Sequence, residues 1–224
     1  ESEVKNMAHC IYHFGSQTLG FSVAAHILFP EPHIVAPKQA EEGLAVLYLL
    51  HGLHGSCADW HAMTSVERYL YESEKPLCIV IPEVSNNFYT DQYLGWNYLT
   101  YIGEELPKVV SRFVRVSPSR EKTFVAGLSM GGYGALKLAL TYPEKYSYAA
   151  SFSGALDIVD LTRANASLLG DAAEYIFGPE SQREGGRDDL FALLGQSAES
   201  GAPRCDFYVS CGTADDLLSH SQRF

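Results

Sequence analysis

The chain has 224 residues, 46% of them hydrophobic and 19% charged. That excludes a disordered polypeptide and supplies enough apolar side chains for one α/β core of ordinary size. A formal net charge of −11 excludes the basic face that nucleic acid or an anionic membrane would require, and reads as a solubility feature. No apolar run is long enough to cross a bilayer and no secretory leader pattern is present, so a cytoplasmic location is expected.

Glu1–Asn6, ahead of Met7, read as a remnant foreign to the native start. Phe21–Phe29 alternates in polarity and predicts a strand of an opening antiparallel hairpin. Leu44–Leu50 and Leu77–Ile81 are short continuous apolar runs, the pattern of parallel strands buried on both faces. Between them Ser65–Tyr71 predicts a helix, and a second helix is expected over Leu99–Val114, with Pro107 bending or restarting it.

Thr123–Ala126 predicts a strand that runs into Gly127-Leu128-Ser129-Met130-Gly131-Gly132 and then a helix over Tyr133–Leu140. Another strand is expected at Tyr148–Phe152. A stretch rich in Gly, Ser, Asp and Glu follows, at about 155–204, and the strand Asp206–Cys211 comes after it. A loop of that length reads as a lid-like insertion over a site, or as a decorative surface insertion. Strands alternating with helices predict a single three-layer α/β domain over 1–224 with a mostly parallel sheet. Ligands of such sheets bind at the carboxyl ends of the strands.

Gly127-x-Ser129-x-Gly131 falls between strand and helix, the context in which G-x-S-x-G holds a nucleophilic serine on a sharp turn. Glycines are needed there because the turn leaves no room for side chains. The Met130 N–H, at the start of the helix, is one expected oxyanion donor. The second is expected from the loop after the strand ending at Leu50, His51-Gly52-Leu53-His54-Gly55-Ser56, and Leu53 N–H is the chosen donor. His51 is read as stabilising that loop. Asp215, in Cys211-Gly212-Thr213-Ala214-Asp215-Asp216, is the favoured acid, with Asp216 the alternative and a helix cap the structural alternative for either.

The base in this topology follows the acid. It should need roughly 25 more residues by ordinary element lengths, whereas the chain ends at Phe224. His220 follows Asp215 too closely for the expected loop, so the catalytic histidine is expected beyond Phe224. Cys57 lacks an elbow and is a poor rival nucleophile. The five cysteines lack paired spacing and read as free thiols of a reducing compartment. Trp60, Phe88, Tyr89, Tyr93 and Trp96 fall in or beside loops near the site. They read either as substrate-binding walls, above all Trp60 and Trp96, or as packing. Asn86, Asn87, Asp91 and Gln92 would hold a polar leaving group or make turns. No His/Cys spacing of metal-ligand type is present.

Five segments together resemble the family described as "Putative esterase": 51–60, Glu104-Glu105-Leu106-Pro107, 127–135, 151–155 and 211–215. That family includes S-formylglutathione hydrolases, bacterial tributyrin esterases and some feruloyl and acetyl-xylan esterases, and the likeness is to the tributyrin type. The resemblance implies an α/β-hydrolase fold, Ser129 as nucleophile, Asp215 as acid, and Leu53 and Met130 as oxyanion donors. It further implies hydrolysis of a small-molecule, short-chain acyl ester through an acyl-enzyme without a cofactor, and a homo-oligomer. The family's C-terminal strand, helix and histidine have no counterpart in the chain. Alternatives are an acyltransferase on the same fold and a non-catalytic binding protein that has lost its base.

Overall fold

In a computed structural model, which describes residues 7–31, 35–73, 75–164 and 169–224, the N-terminal runs form the predicted hairpin. β1 (Met7–Gly15) pairs antiparallel with β2 (Ser22–Pro30). Glu1–Asn6 lie outside the described residues. Five further strands complete one sheet: β3 (Ala45–Leu50), β4 (Leu77–Pro82), β5 (Thr123–Leu128), β6 (Tyr148–Phe152) and β7 (Asp206–Ser210), in the order β1-β2-β4-β3-β5-β6-β7. β2 meets β4 antiparallel, and the pairs from β4 to β7 are all parallel. The fold is the α/β-hydrolase arrangement, a mostly parallel sheet with helices.

The continuous apolar runs have a direct cause. On β3, Val46, Tyr48 and Leu50 join the larger core cluster, while Leu49 joins a smaller one on the opposite face with Ile79 and Ile81 of β4. Both faces are covered, so neither residue parity can be polar. The helix Met130–Thr141 lies on the larger cluster and is almost wholly buried, which is why its sequence shows little amphipathic contrast.

The expected helix over Leu99–Val114 is interrupted and ends sooner. Tyr98–Thr100 is α-helical, Tyr101–Glu105 forms a π-turn, and Leu106–Val110 resumes the α-helix. Pro107 is the cause: having no N–H, it leaves the Gly103 carbonyl without its i+4 donor. Lys145 Nζ donates to that oxygen instead, at 3.0 Å.

The insertion at 155–204 contributes to the core. Leu156, Ile158, Leu161, Ile176, Phe177 and Leu190 from it are buried in the main core. It contains the helices Ile158–Ala164, Ala172–Phe177 and Leu190–Glu199. The last starts at Asp189, whose carboxylate accepts the N–H groups of Phe191 and Ala192. A buried Asp188 carboxylate pairs with Lys137 on the Met130–Thr141 helix. Short helices on a polar background hid this packing from the sequence pattern.

Candidate active site

The carboxyl ends of the parallel strands define the site. Leu50 of β3 is in register with Gly127 of β5, Leu128 with Phe152 of β6, and Phe152 with Ser210 of β7. The loops that follow therefore emerge side by side: His51–Cys57, Ser129, Ser153–Gly154 and Cys211–Asp216. The ends of β5 and β7 are two strand spacings apart, about 10 Å.

Ser129 lies between β5 and the helix at φ 56°, ψ −116°, a conformation an L-residue keeps only when its surroundings over-determine it. Those surroundings are explicit. Ser129 N–H donates to Phe152 O at 2.9 Å, and its carbonyl accepts from Tyr133 N–H at 3.1 Å and Ala155 N–H at 3.2 Å. A Cβ on Gly127 would stand 2.2 Å from Gly131 O, and one on Gly131 would stand 2.4 Å from Leu50 O. Both glycines are thus required by close backbone approach. Gly52 faces the serine from the other side less tightly: a Cβ there would lie in ordinary van der Waals contact, 3.6 Å from Ser129 Cβ.

Met130 is the first residue of its helix, so its N–H has no intrahelical acceptor. Leu53 occupies a turn closed by Gly55 N–H to Gly52 O at 3.1 Å. Neither the Leu53 nor the Met130 N–H has a protein acceptor among the described residues. His51 is buried, its Nδ1 2.8 Å from Gly52 O and its Nε2 facing Val84 N–H at 3.4 Å. A ring nitrogen facing an N–H must accept, so the proton is on Nδ1 and is donated to Gly52 O. His51 is tied into the loop, as its position predicts.

Asp215 is half-buried and Asp216 exposed. The Ser153 hydroxyl and then the Leu217 N–H, at 2.9 Å, bond the Asp215 carboxylate and hold its pKa below the usual range. The Leu217 bond is also a local Asx-type turn ahead of the helix Leu218–Arg223, so the capping reading holds alongside any other. Ser153 itself adopts φ 46° and donates its N–H to Ser210 O at 2.7 Å. Ser153 falls in the segment 151–155, but nothing in the sequence marked its bond to Asp215.

His220 is buried and directed elsewhere: Nδ1 accepts from Asp157 N–H at 3.3 Å, and Nε2 lies 3.2 Å from Asp160 Oδ2. Cys57 is buried, and burial followed by the nearby Glu83 carboxylate pushes its thiol up to about 12, which leaves no thiolate at neutral pH.

The aromatic residues divide. Phe88 and Tyr89 are fully buried, which is the packing reading of the two. The Trp60 indole donates to Leu50 O at 3.0 Å, and its ring packs on the smaller core cluster, so packing accounts for its place. Trp96 is 51% exposed and meets Phe21 edge-to-face; Tyr93 is exposed too. Asn87, Asp91 and Gln92 make local bonds to Val84 O, Thr100 and Trp96 N–H respectively.

A serine on a strand-turn-helix elbow at the carboxyl edge of a parallel sheet defines a class, the serine hydrolases of α/β-hydrolase fold. The "Putative esterase" family matches residues 16–223, and the chain belongs to it. It is 28% identical over 187 residues to an acetyl esterase of Caldicellulosiruptor saccharolyticus, covering 81% of this chain and 70% of that protein. To an S-formylglutathione hydrolase of Paracoccus denitrificans it is 27% identical over 168 residues, 64% of this chain and 56% of that one. Fluorophosphonate-binding serine hydrolase F of Staphylococcus aureus superposes with a TM-score of 0.87 at 27% identity, over 98% of this chain and 84% of the other. Among the described residues no helix is long and apolar enough to cross a membrane.

Proposed function

We propose that the protein is a carboxylesterase acting on a small-molecule, short-chain acyl ester through an acyl-enzyme intermediate. The observation that carries the reading is the strained Ser129 backbone, held by Gly127 and Gly131 where no side chain fits. Ser129 Oγ attacks the ester carbonyl, and its proton passes to a histidine acting as general base. The oxyanion takes hydrogen bonds from the Leu53 and Met130 N–H groups, and Asp215 orients the histidine and stabilises its charged form. The histidine then protonates the departing alcohol, and water repeats the sequence to release the acid. Trp96, exposed in the loop that follows β4, lines the approach of the substrate. The insertion at about 155–204, whose Tyr175 and Ile176 carbonyls accept from Leu94 and Tyr93 N–H of the loop after β4, serves as the partial lid. The homo-oligomer and the cytoplasmic location belong to the same reading, on family likeness and free cysteines.

The test uses the full-length protein with a fluorophosphonate and an acetate ester. A single covalent adduct by intact mass, with both adduct and turnover lost in Ser129→Ala, is expected. Turnover that persists in Ser129→Ala would end the proposal. Product analysis with added alcohol acceptors separates hydrolysis from acyl transfer, which the same elbow would also support.

A further inference from the structure

The segment 51–57, which carries the Leu53 N–H, is clasped along its length by the segment that follows β4. Tyr89 OH donates to His51 O at 2.9 Å, and Val84 N–H donates to His51 Nε2 at 3.4 Å. Glu83 Oε2 accepts Cys57 N–H at 3.0 Å, and Asn86 Oδ1 accepts His54 N–H at 2.7 Å. Glu83 Oε1 and Asn87 Nδ2 close the clasping segment on itself, through Ser85 N–H at 2.7 Å and Val84 O at 2.8 Å. Both partners are strained where they meet. Ser85, Phe88 and Tyr89 have φ of 49°, 51° and 52°, and His54 has φ 63°. Non-glycine residues hold such angles only where surrounding contacts fix them. One loop therefore dictates the conformation of the other.

Among these contacts, Asn86 to His54 differs in kind. Tyr89, Val84 and His51 are buried, so their bonds belong to the core, whereas Asn86 and His54 are both exposed. An exposed hydrogen bond adds little to stability because water replaces it. Water satisfies the His54 N–H without fixing its direction. The Leu53–His54 peptide follows directly on the Leu53 N–H, and among the described residues the turn has just one backbone closing bond of its own, Gly55 N–H to Gly52 O. We infer that Asn86 is a positioning residue, whose side-chain oxygen aims the Leu53 N–H at the oxyanion by pinning the His54 N–H. The inference rests on the oxyanion role given to Leu53 above.

The experiment compares wild type, Asn86→Ala, Asn86→Asp and Ser129→Ala in the full-length enzyme, with p-nitrophenyl acetate and with a fluorophosphonate. For Asn86→Ala a kcat roughly tenfold or more below wild type is expected, since a misaimed donor costs the transition state more than the ground-state complex. KM should stay within about twofold, because substrate contacts are untouched. Phosphonylation should slow in parallel, and the thermal midpoint should not move. Asn86→Asp should restore most of kcat, because a carboxylate oxygen also accepts the His54 N–H. An unchanged kcat in Asn86→Ala overturns the inference, and so does Asn86→Asp as impaired as Asn86→Ala. A kcat loss matched by a fall in thermal midpoint also overturns it, since the role would then be structural. If Ser129→Ala still turns over ester, the function proposed above fails and the inference fails with it. If Ser129→Ala is dead and Asn86→Ala is wild-type, the positioning role alone is lost.

Discussion

Two carboxylates one position apart are held in very different ways. Asp215 is half-buried and bonded by the Ser153 hydroxyl and the Leu217 N–H, whereas Asp216 is exposed. Asp215 is therefore held ionised in a fixed direction, as an orienting acid must be. Asp215→Asn in the full-length enzyme should lower kcat by a large but incomplete factor, because the oxyanion donors still contribute. Asp216→Asn should leave kcat near wild type. Steady-state kinetics of the two variants checks this, and a reversed order would remove Asp215 from the mechanism. At this scale the glycine spacing and Ser129 were legible in the sequence, because a turn without room for Cβ atoms leaves a residue signature. Ser153 and Asn86 were not legible in their contacts: their bonding partners lie across strand ends that only folding brings together.

Among the elements, the stretch 98–110 and the segment 155–204 show where periodicity misleads. A helical pattern continues through Tyr101–Glu105, yet the backbone there is a π-turn, since Pro107 withholds an N–H and a lysine from a later loop supplies the missing donor. The sequence marked the proline and not its remedy. Segment 155–204 is fastened by a charge pair invisible in its own pattern: Asp188 and Lys137 are 3% and 1% exposed, and Thr90 joins them. Lys137→Met should destabilise the fold by about 3 kcal/mol, because it leaves the buried Asp188 carboxylate with only Thr90 and the exposed Arg187, 3.5 Å away, as partners. Lys137→Met with Asp188→Leu should recover much of that loss, because no charge is then left unpaired. Urea unfolding of both variants measures the difference, and equal stability of the single variant and wild type would show the pair to be dispensable.

For the molecule as a whole, the hairpin side of the sheet carries three histidines in mutual contact. His9 Nε2 is 3.0 Å from His26 Nδ1, and the His9 and His61 rings are 4.0 Å apart. Burial first, and then neighbouring imidazoles, lower the pKa of both His9 and His26; His13 adds to the effect at His26, and Glu67 and Glu83 oppose it. Folded pKa values below the ordinary histidine value of about 6.5 mean that the unfolded chain binds more protons as pH falls. Stability is then full above that value and declines as the pH drops through it and on through the folded values. The urea midpoint should fall between pH 7 and pH 5, and His61→Gln should make the fall shallower by removing one repelling ring. A slope unchanged by His61→Gln would remove the cluster as its cause.

The sequence by itself determined the sheet and the elbow. Runs of apolar residues that suit two covered faces, and glycines at the spacing of a turn without space, are local requirements written in consecutive residues. Leu53, Met130 and Asp215 were proposed from the loops after two strands, the start of a helix and, for Asp215, the family resemblance as well. Tertiary structure alone decided that Phe88 and Tyr89 are core, that Trp60 bonds the Leu50 carbonyl, and that His220 turns to Asp157 and Asp160. It alone set the loop after β4 around the Leu53 turn. Such contacts join residues tens of positions apart, and hydrogen bonding across that distance depends on strand order and register, which no local pattern encodes.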